Sequence, residues 1–432
     1  MRDAEQTRLE RAIARALRPQ RRLSRRDFMR GGAYAAGALS LPAILAACGI
    51  EASQAPSRGA GATAGATGQA VGGGQPSGTL NFANWPLYID VVGGEGSRSP
   101  TLTQFERETG IQVNYVEDIQ DNVSFFGEHQ PDLEAGNSIG FDLIVLTDWM
   151  IANMISFGYL EQIDVARDVP NFVEHAADKY KNPWYDANNA HSVPWQSGVT
   201  GIGYNPALVD EEITSLAQLF DPARIEKYSG QIGMFTEMRD SMNLALLYLG
   251  IDPTTATLED AERAQEVLLE QGQYVRDYYG NEYAQGLADE SLAITMAWSG
   301  DVFQLQFDNP DLQFVVPEEG ANLWIDNMAI PRNAEHPNDA LAMMNFVYQP
   351  EVAAQIAEWV NYICPVPEAQ DIIRQHAEEA GSAGDREYLE AVAESPLVFP
   401  TEEMLANLYG YPILNEEQER QWNELFQEVT QG

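Results

Sequence analysis

The sequence predicts an α/β protein folded as two lobes, and three observations predict it. Its 432 residues carry 44% hydrophobic and 10% aromatic side chains, enough apolar surface for a folded body and too long a chain for one small core. After Gly78, short β-rich runs alternate with helical stretches, the pattern of βαβ units. A second series of the same kind starts near Gln231, so helices are expected to flank a largely parallel sheet in each half.

Thr79 to Ala83 reads as the opening strand. A helix follows around Leu102, Phe105 and Thr109; Pro100 suits its first turn and Gly110 its C-terminal cap. Ile111 to Val116 is the next strand. Phe141 to Leu146 is an apolar run broken only by Asp142, as expected of a strand covered on both faces. In the second series Gln231 to Phe235 is a strand, and Leu258 to about Tyr279 reads as one long helix. Ile294 to Trp298, Gln313 to Val316 and Asn327 to Ile330 are further strands. Ala340, Met344 and Val347 share one helical face, as do Val352, Ile356 and Trp359, so these stripes are core and not a cofactor box. Glu416 to Val429 is amphipathic and is expected to pack as a helix on the outside of one lobe.

The formal charge is −40, with 65 acidic against 25 basic side chains. Such a field opposes nucleic acid and anionic lipid headgroups and suits a cationic ligand, although it also serves simply to keep an exported protein soluble. Ten of the basic residues lie before Cys48, beside an apolar run, which is the composition of an export signal. Ser24-Arg25-Arg26-Asp27-Phe28-Met29-Arg30 resembles the twin-arginine signature, and Gly31 to Ala47 is too short and too rich in small residues for a comfortable membrane span. Leu45-Ala46-Ala47-Cys48 resembles a bacterial lipobox, which implies cleavage of residues 1–47 and a lipid anchor on Cys48 at the membrane. Cleavage leaves 15 basic against 61 acidic residues. Residues 48–78, rich in Gly, Ala, Ser, Thr and Gln, cannot bury enough surface to fold and read as a flexible tether. The other cysteine, Cys364, then has no disulfide partner and is expected to be a buried hydrophobe.

Beyond the tether the chain resembles bacterial spermidine and putrescine receptors over nearly all of Thr79 to Gly432. The likeness rests on motifs in family order: Asn84-Trp85 with Tyr88, Phe141-Asp142-Leu143-Ile144-Val145, Val193-Pro194-Trp195, Gly198 to Asn205, Ala297-Trp298-Ser299-Gly300-Asp301, and Trp324-Ile325-Asp326-Asn327. Each is weak alone, but their order and spacing are specific. The resemblance implies a two-lobe periplasmic-binding-protein fold of type II, a Venus flytrap that holds its ligand in a cleft and closes by hinge bending. It implies discontinuous lobes, 79–203 with 327–372 and 204–326 with 373–432, whose crossings fall near Gly203 and Asp326. It also implies a polyamine ligand, an ABC transporter permease as partner, a monomer, no cofactor and no nucleic acid.

A polyamine is a flexible apolar chain carrying separated ammonium groups. Carboxylates accept charge-assisted hydrogen bonds from the ammoniums, while aromatic faces attract the cation and cover the methylenes. By the resemblance, Trp85 and Tyr88 take first-lobe aromatic positions, Trp298 and Trp324 those of the second lobe and its border, and Tyr362 a further one. Thr147 and Trp149 stand on a wall that departs from the family, where Asp148 and Trp149 are either contacts or ordinary helix-start residues. Glu237 and Asp240 match an acid pair at the same spacing in reversed order, and Asp240 equally suits a helix cap. Asp301 adds another acid, and Asp326 is the foremost candidate because a charge at a lobe crossing needs a partner.

An anionic ligand would want Arg or Lys, and the motif positions offer none. A receptor of the same fold for another small cation or zwitterion is the alternative. A secreted hydrolase using an acid pair such as Glu237 and Asp301 finds no support, since no nucleophile elbow, zinc motif or phosphate loop is present. The five histidines show no metal-ligand spacing. The expectation is therefore binding without catalysis.

Overall fold

The computed structural model describes residues 70–91 and 98–431. The signal segment, Cys48 and the tether up to residue 69 lie outside the described residues.

β1 (Thr79–Asn84), α1 (Pro100–Thr109), β2 (Gln112–Glu117), α2 (Asn122–Ala135), β3 (Leu143–Thr147) and α3 (Asp148–Phe157) open the fold. Pro100 and Gly110 act as read: the Ser99 side chain accepts from the Leu102 amide, and Gly110 ends α1 in the left-handed conformation. β4 (Ser192–Tyr204) is long and buried throughout. Then come β5 (Ile232–Phe235), α4 (Met238–Tyr248), α5 (Leu258–Gly272), β6 (Val275–Tyr279), β7 (Ile294–Trp298), α6 (Ser299–Leu305), β8 (Gln313–Val315) and β9 (Ala321–Ala329). α7 (Pro337–Phe346), α8 (Pro350–Val360), α9 (Ala369–Glu379), α10 (Ala383–Glu394), β10 (Leu408–Tyr409) and α11 (Glu416–Gln431) complete the principal elements.

The strands form one mixed sheet in the order β2-β1-β3-β9-β4-β7-β5-β6, with β10 on β9 and β8 on β4. β1 runs parallel to β2 and β3, and β5 parallel to β6 and β7, as the βαβ reading requires. β4 and β9 are antiparallel and change neighbours midway. β4 pairs with β9 as far as Thr200 and with β7 from Thr200 onward; β9 pairs with β3 at Asp326 to Ala329 and with β10 at Ala321 and Asn322. They are the crossings between two cores. One core gathers Phe82, Leu143 to Leu146, Met328, Met344 and Trp359. The other gathers Ile202, Phe235, Leu246, Leu268, Met296 and Trp422.

Four readings are corrected. The helix expected to reach Tyr279 stops at Gly272; Val275 to Tyr279 is β-prone and pairs with β5 as a parallel strand. The first crossing lies nearer Thr200 than Gly203, because Ile202 already belongs to the second core. Residues 373 to about 398, assigned to the second lobe, pack into the first: Ile373, Val392 and Val398 join its core, and the chain enters the second core only at Leu414. The last residues of the tether are held on the body. The Val71 amide donates to the Gln162 carbonyl at 2.8 Å, and the Ser77, Gly78 and Thr79 amides all donate to the buried Asp339 carboxylate. A buried carboxylate gathers amides strongly enough to order a Gly-rich segment.

Candidate functional site

Directly opposed residues of antiparallel neighbours share one face of the sheet. At the crossing this places Gln196 beside Asp326, Gly198 beside Trp324 and Thr200 beside Asn322. These pairs form a row from the first lobe to the second, the floor of the interlobe cleft.

At the first-lobe end, Asp326 is 6% exposed. Tyr88 donates to its Oδ2 at 2.9 Å and Thr147 to its Oδ1 at 2.8 Å. Asn122 donates in turn to Thr147 Oγ1, fixing the hydroxyl's direction. Burial nevertheless pushes the Asp326 carboxyl up to about 6, with repulsion from Asp240 added. The neighbouring Asp148 is buried, accepts from the Trp149 amide at 2.7 Å, and is pushed up to about 8, first by desolvation.

Trp324 leans across Gly198, where a Cβ would stand 2.2 Å from the ring's Cζ2. Its ring meets Tyr362 edge-on at 5.2 Å, and Tyr362 meets Tyr88 at 5.8 Å. Asp301 ties this aromatic run to the second lobe, accepting from Tyr362 at 2.9 Å and from Tyr283 at 2.8 Å. Trp298 lies between the two cores, 4.6 Å from Phe235.

At the second-lobe end, Asp240 accepts from Thr200 at 2.5 Å, Tyr411 at 3.0 Å and Asn322 at 3.3 Å. It does not cap α4, whose N-cap residue is Glu237. Burial raises the Asp240 carboxyl above the usual carboxylate range. Glu237 is raised as well, by desolvation and then by Asp240 and Asp121. Glu237 and Trp149 line a groove of about 380 Å³ with Asp121, Val123, Glu419 and Phe426. Trp85 stands apart from this constellation. Its indole N–H donates to the Val145 carbonyl at 2.9 Å and its ring packs on the first core. Hydrogen bonds and ring contacts thus join Tyr88, Thr147, Asp326, Trp324, Tyr362 and Asp301, Tyr283 carries the link on to Trp298, and Asp240 is tied to the crossing strands through Thr200 and Asn322.

Arg239 stands among these side chains, although the motif positions themselves carry no Arg or Lys. Its guanidinium lies 4.3 Å from the Trp149 ring centroid, donates to the Pro412 carbonyl at 2.9 Å and pairs with Glu419. A cation of the second lobe thereby clasps an aromatic of the first. Standing between the predicted acids 237 and 240, it was within reach of the sequence; Tyr411 was not, since it arrives from a distant segment. Tyr283 and Asn322 were missed for a similar reason, each being an ordinary helix-start or strand residue until the fold turns it inward, whereas Asp148 was read as either a contact or a helix-start residue.

Among the described residues, no group of three or more His, Cys, Asp or Glu side chains is arranged to hold a metal ion. Cys364 is buried, with its thiol pushed up to about 12 by desolvation.

Two α/β lobes joined by crossing strands are the architecture of periplasmic substrate-binding proteins. The chain belongs to the bacterial extracellular solute-binding protein family, whose model matches residues 101–381. It is 27% identical over 367 residues to a putrescine-binding periplasmic protein of Pseudomonas aeruginosa, covering 82% of this chain and 92% of that one. It is 30% identical over 288 residues to the spermidine/putrescine-binding periplasmic protein of Escherichia coli, covering 66% and 77%. Among solved structures, a putative spermidine/putrescine ABC transporter protein of Listeria monocytogenes matches at 28% identity with a TM-score of 0.68, covering 82% of this chain and 99% of that one.

Proposed function

We propose that the protein captures a polyamine of the spermidine or putrescine class outside the cytoplasm and hands it to an ABC importer, binding its ligand without transforming it. The observation that carries this reading is electrostatic. Asp148, Asp240 and Asp326 are each at most 6% exposed and form no ion pair among the described residues. Buried carboxylates without counter-charge are costly, and ammonium groups relieve that cost. The run Tyr88, Tyr362, Trp324 supplies faces for the methylenes between them. Arg239, whose charge lowers the pKa of Asp148, Glu237 and Asp240, does not act on Asp326, so the first-lobe end is left for the ligand. The names of the relatives above support the same solute class.

In this reading Trp85, Tyr88, Thr147, Trp149, Glu237, Asp240, Trp298, Asp301, Trp324, Asp326 and Tyr362 face the ligand. The receptor works as a monomer held at the membrane through a lipid on Cys48, which an intact mass of the membrane-extracted protein checks. Calorimetry tests the ligand class: putrescine or spermidine is expected to bind tightly and arginine far more weakly. The reverse ranking would sink the assignment.

A further inference from the structure

Gln196 belongs to none of the motifs discussed so far, yet it sits beside the most exposed electrostatic need of the cleft. The β4–β9 ladder is irregular between Pro194 and Gln196, so Trp195 is an extra residue. Trp195 turns into the first core, where its indole N–H donates to the Tyr88 carbonyl at 3.1 Å. Gln196 then restarts the ladder opposite Asp326. Bulges of this kind re-aim a side chain next to functional sites. The re-aimed side chain is 2% exposed, and its Oε1 has no hydrogen-bond partner among the described residues. A buried amide carbonyl without a donor is a standing cost, and an apolar residue of equal volume would avoid it.

We propose that Gln196 is a further ligand-contacting residue: its Oε1 accepts a hydrogen bond from the same protonated amine that the adjacent Asp326 holds. The reason lies in donor counting. Across β3, β9 and β4, Thr147, Asp326 and Gln196 stand in one row. The Thr147 and Tyr88 hydroxyls are spent on Asp326, and the Gln196 amide cannot donate to its own carbonyl, so the row holds no donor for Oε1. A primary ammonium brings three N–H groups and can serve both acceptors at once. The inference rests on the polyamine reading and refines it: the group seated here is a primary ammonium, not a quaternary or tertiary one.

The experiment uses the full chain and its Gln196→Met variant, measured by calorimetry and thermal melting with putrescine and with N,N,N′,N′-tetramethylputrescine, whose ammoniums carry one N–H each. Gln196→Met is expected to weaken putrescine about tenfold, the worth of one charge-assisted hydrogen bond, while changing tetramethylputrescine affinity little. The melting temperature of the ligand-free variant is expected to hold or rise. Equal weakening of both amines, an unchanged putrescine affinity, or a lower ligand-free melting temperature overturns the proposal. Gln196→Leu, measured beside it, is expected to give the same readout. Wild-type protein that binds neither amine refutes the polyamine reading itself, which separates the two failures.

Discussion

At the scale of single residues, Asp326 concentrates the chemistry. Two hydroxyls orient its oxygens, yet neither neutralises it, and its depth in the crossing keeps water from doing so. Asp326→Asn keeps the shape and removes the charge. The variant is expected to lose about 2 kcal/mol or more of polyamine affinity with little change in ligand-free melting, and an unaltered Kd in calorimetry would remove Asp326 from the site. This residue was legible through the resemblance, which sets Trp324-Ile325-Asp326 at a lobe crossing, where a charge needs a partner. Gln196, Tyr411 and Arg239 were harder to read. A lone glutamine or tyrosine carries no sign of its destination, and Arg239, though flanked by the predicted acids, gains its role only when Trp149 is brought against it.

At the scale of elements, β4 and β9 do two tasks with one alternation. Their inward-facing residues line the cleft while the intervening ones, such as Trp195 and Val199, enter the cores. The alternation leaves no room for a side chain at Gly198, which lies beneath the Trp324 ring. Gly198→Ala is therefore expected to displace the indole, lowering the melting temperature through overpacking of about 1–3 kcal/mol and weakening polyamine binding in the same titration. A variant with wild-type melting and affinity would show that the ring is free to move. Strands that are mostly apolar and buried, such as β3 and β7, were placed within a residue or two from sequence. The end of α5 was not, although Gly272 marks it, because the strand after it is defined by pairing with β5, a partner far away in sequence.

At the scale of the whole molecule, the carboxyl groups couple binding to pH. Asp326, pushed up to about 6, and Asp148, pushed up to about 8, hold protons in the ligand-free fold that the unfolded chain releases in the ordinary carboxylate range. The folded state therefore binds more protons than the unfolded one across this interval, and ligand-free stability falls as pH rises from that range through about 8. A dication reverses the sign, because it favours the ionised carboxylates. Putrescine affinity and its thermal shift are expected to grow between about pH 5.5 and pH 8, with protons released on binding. Calorimetry in buffers of different ionisation enthalpy reads that release directly; flat affinity with no proton release would contradict it. The two-lobe plan was legible in the doubled βαβ series, whereas the lobe boundary after residue 372 was not. Helices α9 and α10 fit either half by pattern, and only packing of Ile373 and Val392 decides between them.

The seating of Val71 to Thr79 on Gln162 and Asp339 bears on how such a receptor would meet its transporter. All these partners belong to the first lobe, so a leash leading back to Cys48 would moor that half alone. The second lobe would swing against a stationary twin, and the permease would sense occupancy as the approach of one free jaw.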